Sequence, residues 1–340
     1  MKKFLAMLLA LVMVLSLVAC GGSSDDTAAD DSTETTDDTT TEVDYAGTSL
    51  AVILAGSIND NGWNAAAYGA MTYIADKYGC ETAYAENVAT SDVEEFLRGY
   101  ATQGFDMIIV HGSQYIDYVH NVAPEFTDTK FVISYGDDDR SLDPNVACVG
   151  NIDSGFLAGV VAANITTSNK VAFLGGEENP SITPIVERFA DGVAYVNPDI
   201  EVTTGYIGSL TDADKAKEVA ANVISSGVDV IGASANAAGL GVIQAAKEAG
   251  IYSIGFNSDQ YEQAPDNVVV SVLRDFNKMF EEVFVEVAEG TFEATLYQYG
   301  VGTGAILSDW HGWNEKLPAE AVENIESFLA GCADGSIVLE

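Results

Sequence analysis

The sequence predicts an α/β fold of two doubly wound parallel-sheet lobes around a cleft, standing behind an N-terminal signal and a disordered tether. Three observations carry this. Short uninterrupted apolar runs alternate with segments of helical period along the body, the pattern of parallel strands covered by helices on both faces. The body from Tyr45 onward is about 295 residues long, more than a single core normally organises, so two lobes are expected. The two segments before it carry none of that pattern: 1–19 is apolar after Lys2 and Lys3, and 21–44 is almost wholly Gly, Ser, Thr, Ala, Asp and Glu.

Residues 1–19 read as a secretion signal. Lys2 and Lys3 form its positive start, and the apolar run from Phe4 to Ala19 is shorter than the roughly 20 residues of a membrane-crossing helix. The run closes on Leu17-Val18-Ala19-Cys20-Gly21, which resembles the bacterial lipobox: a small residue for a peptidase pocket, then a thiol on Cys20 for thioether lipidation. Each buried CH₂ contributes about 0.8 kcal/mol, so two or three acyl chains would hold a protein durably on the extracytoplasmic face of the cell membrane. The tether, 20–45, has nine acids between Gly21 and Asp44 and no base. It has too little apolar surface to offset its ordering entropy and repels itself into an extended form.

In the body, strands are expected at 49–55, 107–110, 131–134, 146–149, 170–174, 202–206, 228–231, 252–256 and 268–272. Helices are expected at 62–78, 155–165, 182–196, 212–225, 240–249, 277–288 and 318–329. In such sheets the loops at the carboxyl ends of the strands form the ligand crevice.

Composition excludes several functions. With 14 basic against 52 acidic residues the formal charge is −38, so polyanions and anionic headgroups are repelled. Nucleic acid is not an expected partner, and membrane attachment is expected through the lipid alone. Cys20, Cys80, Cys148 and Cys332 are far apart, and no Cys or His spacing suits a metal. No GxGxxG follows the first strand, and no P-loop or GxSxG elbow occurs, so neither a cofactor nor an enzyme is expected. His111, at a strand end, reads as a structural histidine or a cleft residue.

The first strand-end loop is chemically rich. Asn59, Asp60 and Asn64 offer donors and acceptors, and Trp63 offers a flat face for a ring. The same residues also suit a capped helix start with Trp63 in the core. Gly112 and Ser113 stand at the next strand end, and Asp153 opens a helix either as a cap or as a cleft acid.

Five segments, taken together, resemble the basic membrane protein (BMP) family, purine-nucleoside-receptor-like substrate-binding lipoproteins of ABC importers. They are the stretch from Asn59 to Asn64, standing where the family has Asp-Asp-x-x-Phe-Asn; 156–163; Gly175-Gly176 followed by Phe189 and Gly192; 227–231; and 255–260. The resemblance spans roughly 49–301. It implies a periplasmic-binding-protein-like fold of type I with several crossings between lobes, here divided as 46–167 plus 275–293 and 168–274 plus 294–340. It also implies permease subunits as partners and a nucleoside-like small-molecule ligand held between aromatic rings, with Trp63 at a stacking position. The residues it places at the ligand include Asn59, Asp60, Trp63, Asn64, Tyr135, Asn236, Asn257, Asp259 and Arg274. Several depart from the family pattern: Asn257 replaces a ribose-binding Asp, Arg274 stands where Lys is usual, Tyr135 where a strand usually ends in Asp, and Asn236 in place of a Gly. An amide must donate as well as accept, and an Arg fork matches a carboxylate or phosphate better than Lys does. A modified nucleoside, another sugar-like molecule and an anionic ligand therefore all fit. The same cleft would also suit a sensor lipoprotein serving a membrane receptor.

Overall fold

The computed structural model describes residues 43–60, 62–135 and 143–339; the expected signal at 1–19, Cys20 and nearly all of the tether lie outside them. In chain order the first half comprises β1 (Leu50–Leu54), α1 (Trp63–Tyr78), β2 (Thr82–Ala85), α2 (Val93–Gln103), β3 (Met107–His111), α3 (Ile116–Val122), β4 (Lys130–Ser134) and β5 (Val146–Gly150). Then follow α4 (Asp153–Ile165), β6 (Lys170–Gly175), α5 (Thr183–Val196), β7 (Glu201–Tyr206), α6 (Ala213–Ile224), β8 (Val230–Ser234), α7 (Gly239–Ala249), β9 (Tyr252–Asn257) and β10 (Val268–Arg274). The chain ends with α8 (Phe276–Glu289), β11 (Leu296–Gln298), β12 (Ala305–Leu307) and α9 (Ala319–Ala333).

Two sheets result, in the orders β11-β5-β4-β3-β1-β2 and β12-β10-β9-β8-β6-β7. All their pairings are parallel except β10 with β12, which closes one edge antiparallel. Every residue of β1 and β3 is buried, as expected of strands covered on both faces. Cys80 and Cys148 fill these faces as small apolar groups. In each sheet the strand order reverses next to the first strand laid down, β1 or β6. The loops after β1 and β3, and after β6 and β8, therefore diverge at a crevice.

The body from Val43 onward holds together as one unit. The chain passes between the sheets near Asn151, Asp275 and Gly300. Two of these points differ from the expected division. Helix α4, placed in the first lobe, belongs to the second: Phe156, Leu157, Val160 and Val161 share a core with Phe173, Phe189 and Phe256. The reason is backbone contact with α5. A Cβ on Gly159 would sit 2.2 Å from the Phe189 carbonyl oxygen, and one on Gly192 2.1 Å from that of Phe156, so only glycine permits this approach. Residues 294–340 do not stay together either, because β11 pairs with β5 in the first sheet, Leu296 opposite Cys148. Helix α8 packs on the first sheet through Phe276, Phe280 and Phe284.

Candidate functional site

The loop after β1 is locked from within. The Asp60 carboxylate accepts from the amides of Gly62 (2.9 Å), Asn64 (3.0 Å) and Ala65 (3.0 Å) and from the Asn64 side-chain nitrogen (2.8 Å). Asn64, buried, accepts from the Gly56 amide at 3.1 Å. Both side chains were expected to meet a ligand; their hydrogen-bonding capacity is instead spent on the first turn of α1, where a carboxylate satisfies helix-start amides. Asn59 is exposed at the rim. What this rigid loop aims is Trp63.

Trp63 is half-buried, and its ring stacks on His111 with centroids 4.0 Å apart and planes 23° from parallel. Tyr135 and Phe276 meet it edge-on at 5.2 and 5.3 Å. His111 is the platform beneath. Its Nε2 lies 3.0 Å from the Trp63 carbonyl, which can only accept, so Nε2–H donates and Nδ1 accepts from the Ser134 hydroxyl at 2.9 Å. Burial pushes its pKa down to about 3, so the ring is neutral. With both ring nitrogens paired, it supports Trp63 from beneath.

Arg274 completes the cluster from the second sheet. Its guanidinium carbon lies 5.0 Å from the Trp63 ring centroid, 4.8 Å from that of Tyr135 and 5.3 Å from that of Phe256. The residue is 6% exposed. One terminal N–H reaches the Ser234 hydroxyl at 3.5 Å, while Nε has no hydrogen-bond partner among the described residues. Burial lowers its pKa. Tyr135 holds a left-handed backbone (φ +59°) that sets its ring inward, and its hydroxyl donates to the Asn151 carbonyl at 2.6 Å. Burial raises that phenol to about 12. Asn257 ends the neighbouring strand, also left-handed (φ +71°), with a buried Oδ1 that lacks a donor among the described residues.

The two halves touch across this cleft. The Ser113 and Ser181 hydroxyls are 2.5 Å apart, from the loops after β3 and β6. A Cβ on Gly62 would stand 3.8 Å from the Asn236 Cα, so the loop after β8 faces the start of α1. Gly112, at φ +145°, makes the turn that presents Ser113.

Two expected residues lie apart from the cluster. The Asp153 carboxylate accepts from Arg188 Nε (3.0 Å) and from a second guanidinium nitrogen (2.8 Å) on α5, and so joins α4 to α5 rather than facing the cleft. Neither is it the cap, for Asn151 Oδ1 accepts from the Ser154 amide. Asp259 pairs with His311 at 2.7 Å at the exposed edge of the second half. His111 was read as either a structural or a cleft histidine, whereas Ser134, Asn151, Ser181, Ser234 and Phe256 were not singled out in sequence as site groups. Their common signal is position at a strand end or in the loop that follows. Among the described residues no group of three or more His, Cys, Asp or Glu side chains could hold a metal ion.

Two sheets joined by repeated crossings, with the strand-end loops of one meeting those of the other, form an architecture that ABC solute-binding proteins share. The fold matches an ABC transporter system solute-binding protein of Aeropyrum pernix K1 with TM-score 0.75, at 21% identity, covering 86% of this chain and 93% of that one. Residues 48–327 match the family Bmp, ABC transporter substrate-binding protein PnrA-like, and the chain belongs to that family. It is 30% identical over 267 residues to Basic membrane protein A of Borreliella burgdorferi, covering 76% of this chain and 78% of that one. It is 28% identical over 262 residues to the Transcriptional activator protein med of Bacillus subtilis, covering 76% and 80%. No helix among the described residues is long and apolar enough to cross a membrane.

Proposed function

We propose that this chain is the ligand-capturing lipoprotein of an ABC importer, anchored through Cys20, whose lobes close on a small polar, nucleoside-like molecule lying against Trp63. The observation that carries the reading is the cluster at the cleft floor. An indole stacked on His111 lies against the Arg274 guanidinium, whose Nε, like the buried Oδ1 of Asn257 at the end of the next strand, lacks a protein partner among the described residues. Buried polar groups are ordinarily paired, so unpaired ones in a cleft mark where a ligand's donors and acceptors belong. A ligand that touches both halves binds the closed form better than the open one and shifts the population toward it. Permease subunits would then read the closed shape.

Isothermal titration of the purified protein against nucleosides, nucleobases and pentoses is expected to find one tight ligand. Trp63→Ala should weaken it at least about tenfold, or about 1.4 kcal/mol, while the fold persists. Unchanged affinity in Trp63→Ala would remove the cleft from the account. For the anchor, Cys20→Ser should move the protein from the membrane fraction to the soluble one, and retention at the membrane would refute lipidation at that residue.

A further inference from the structure

We infer that the ligand carries an anionic group, a carboxylate or a phosphate, which pairs with Arg274 at the floor of the closed cleft; this rests on the cleft reading above and makes it more specific. Arg274 ends β10, immediately before the chain crosses back to the first half at Asp275. Rings from both halves surround it, Trp63 and Tyr135 from the first and Phe256 from the second. Ring faces attract a cation but offset only part of the cost of removing it from water. A guanidinium offers five N–H donors, yet here one reaches a hydroxyl at the 3.5 Å limit and Nε reaches nothing among the described residues. Burial depresses its pKa, and the Tyr135 phenol beside it, raised by burial to about 12, is neutral at ordinary pH and supplies no counter-charge.

Among the described residues, the acids of the strand-end loops and of the crossing have other partners. Asp60 holds the start of α1, Asp153 holds Arg188, Asp259 holds His311, and Asp275 accepts from the Lys278 amide to cap α8. In a chain with 52 acids and 14 bases, an arginine left in an apolar box without one of them among the described residues is not explained by scarcity. A carboxylate or phosphate presents two oxygens to the fork together with the opposite charge; a neutral base or sugar can offer acceptors there but no counter-charge. Asn257 Oδ1, on the residue paired with Leu273 across the sheet, adds a requirement for a hydroxyl or N–H on the same ligand.

The test uses two matched pairs, uracil against its 6-carboxylate (orotate) and adenosine against adenosine 5′-monophosphate, titrated into the full chain and into Arg274→Met and Arg274→Lys. Mass spectrometry of any ligand retained through native purification accompanies them. The wild type should bind the anionic member of at least one pair about tenfold or more tightly than the neutral one. Arg274→Met should abolish that preference, and Arg274→Lys should keep part of it. Without ligand, Arg274→Met should melt no lower than the wild type, because it removes a charge that has no partner.

Equal or tighter binding of the neutral members, a preference that survives Arg274→Met, or a neutral retained ligand would each overturn the inference. So would a lower melting temperature of unliganded Arg274→Met, which would place the counter-charge in the chain itself, Asp137, Asp138 and Asp139 outside the described residues included. Failure of all four probes with no anion retained overturns it as well. The cleft reading fails separately: neutral probes that bind without charge preference, yet lose affinity in Trp63→Ala, would sink only the anion.

Discussion

Replacing Asp60 separates a structural carboxylate from a ligand-binding one. The residue stands where a family motif places an acid, yet its two oxygens accept four hydrogen bonds within its own loop. Hydrogen bonds to a charged acceptor contribute about 1.5–3 kcal/mol each when buried and less when half-exposed, as here. The four share one side chain and are not additive, so Asp60→Ala is expected to cost about 2–4 kcal/mol. For a body of this size that lowers the melting temperature by roughly 3–6 °C. Asp60→Asn should cost nearly as much, since its amide turns a donor toward amides that already donate. Thermal unfolding by circular dichroism reads the loss, and titration with ligand shows affinity falling less than in Trp63→Ala. A variant that melts within about 1 °C of the wild type but no longer binds ligand would refute the argument and return Asp60 to the cleft surface.

Two further outcomes follow from the packing. Gly159→Ala, whose methyl would fall 2.2 Å from the Phe189 carbonyl oxygen, should force α4 from α5 at a cost of about 3 kcal/mol. Gly69→Ala, on the open face of α1 with no atom within 4 Å, should gain up to about 1 kcal/mol; equal melting of the two variants would show that the helix contact is not that close. His111 governs a pH effect. Its folded pKa of about 3 lies below the ordinary 6.5, so as pH falls below 6.5 the unfolded chain takes up a proton that the folded one refuses. Stability should therefore be full above that pH and decline by about 2 kcal/mol between pH 6.5 and 5. His311 acts oppositely, because its hydrogen bond to Asp259 raises its pKa, and its contribution fades as pH rises through that value. Denaturant unfolding in a His311→Gln background, with and without His111→Gln, isolates the first effect; identical slopes in both would contradict the neutral buried ring.

Much of the body was legible because its signals are local. The runs at 49–55 and 131–134 became the buried β1 and β4, and the helical spacing at 62–78 became α1 to within a residue at its start. Helix α2 is not among the expected helices, although its signal, Val93, Leu97 and Ala101 on one buried face and acids in the first turn, is as clear as that of α1. Strands β11 and β12 carry almost none, being three residues each, and exist because β5 and β10 offer free edges. The crossing points were only half legible. Helix α4 is apolar nearly all round, so its own pattern cannot say which sheet it covers. The glycines facing α5 decide that, and their meaning depends on a second helix.

By itself the sequence determined the kinds of element, their parallel stacking and the strand-end loops from which a ligand site is proposed, because strand and helix periods and turn residues act over a few neighbours. It also placed Asn59 through Asn64, Gly112, Ser113, Tyr135, Asn236, Asn257 and Arg274 at or after strand ends. Only the tertiary structure decided what each does there. Asp60 and Asn64 turn inward to hold a helix start, Asp153 goes to Arg188, and Trp63 rests on His111 beneath Arg274. Those assignments rest on distances between groups far apart in the chain, and on which polar atoms remain unpaired once everything around them is packed. Neither quantity exists until the two sheets are brought together.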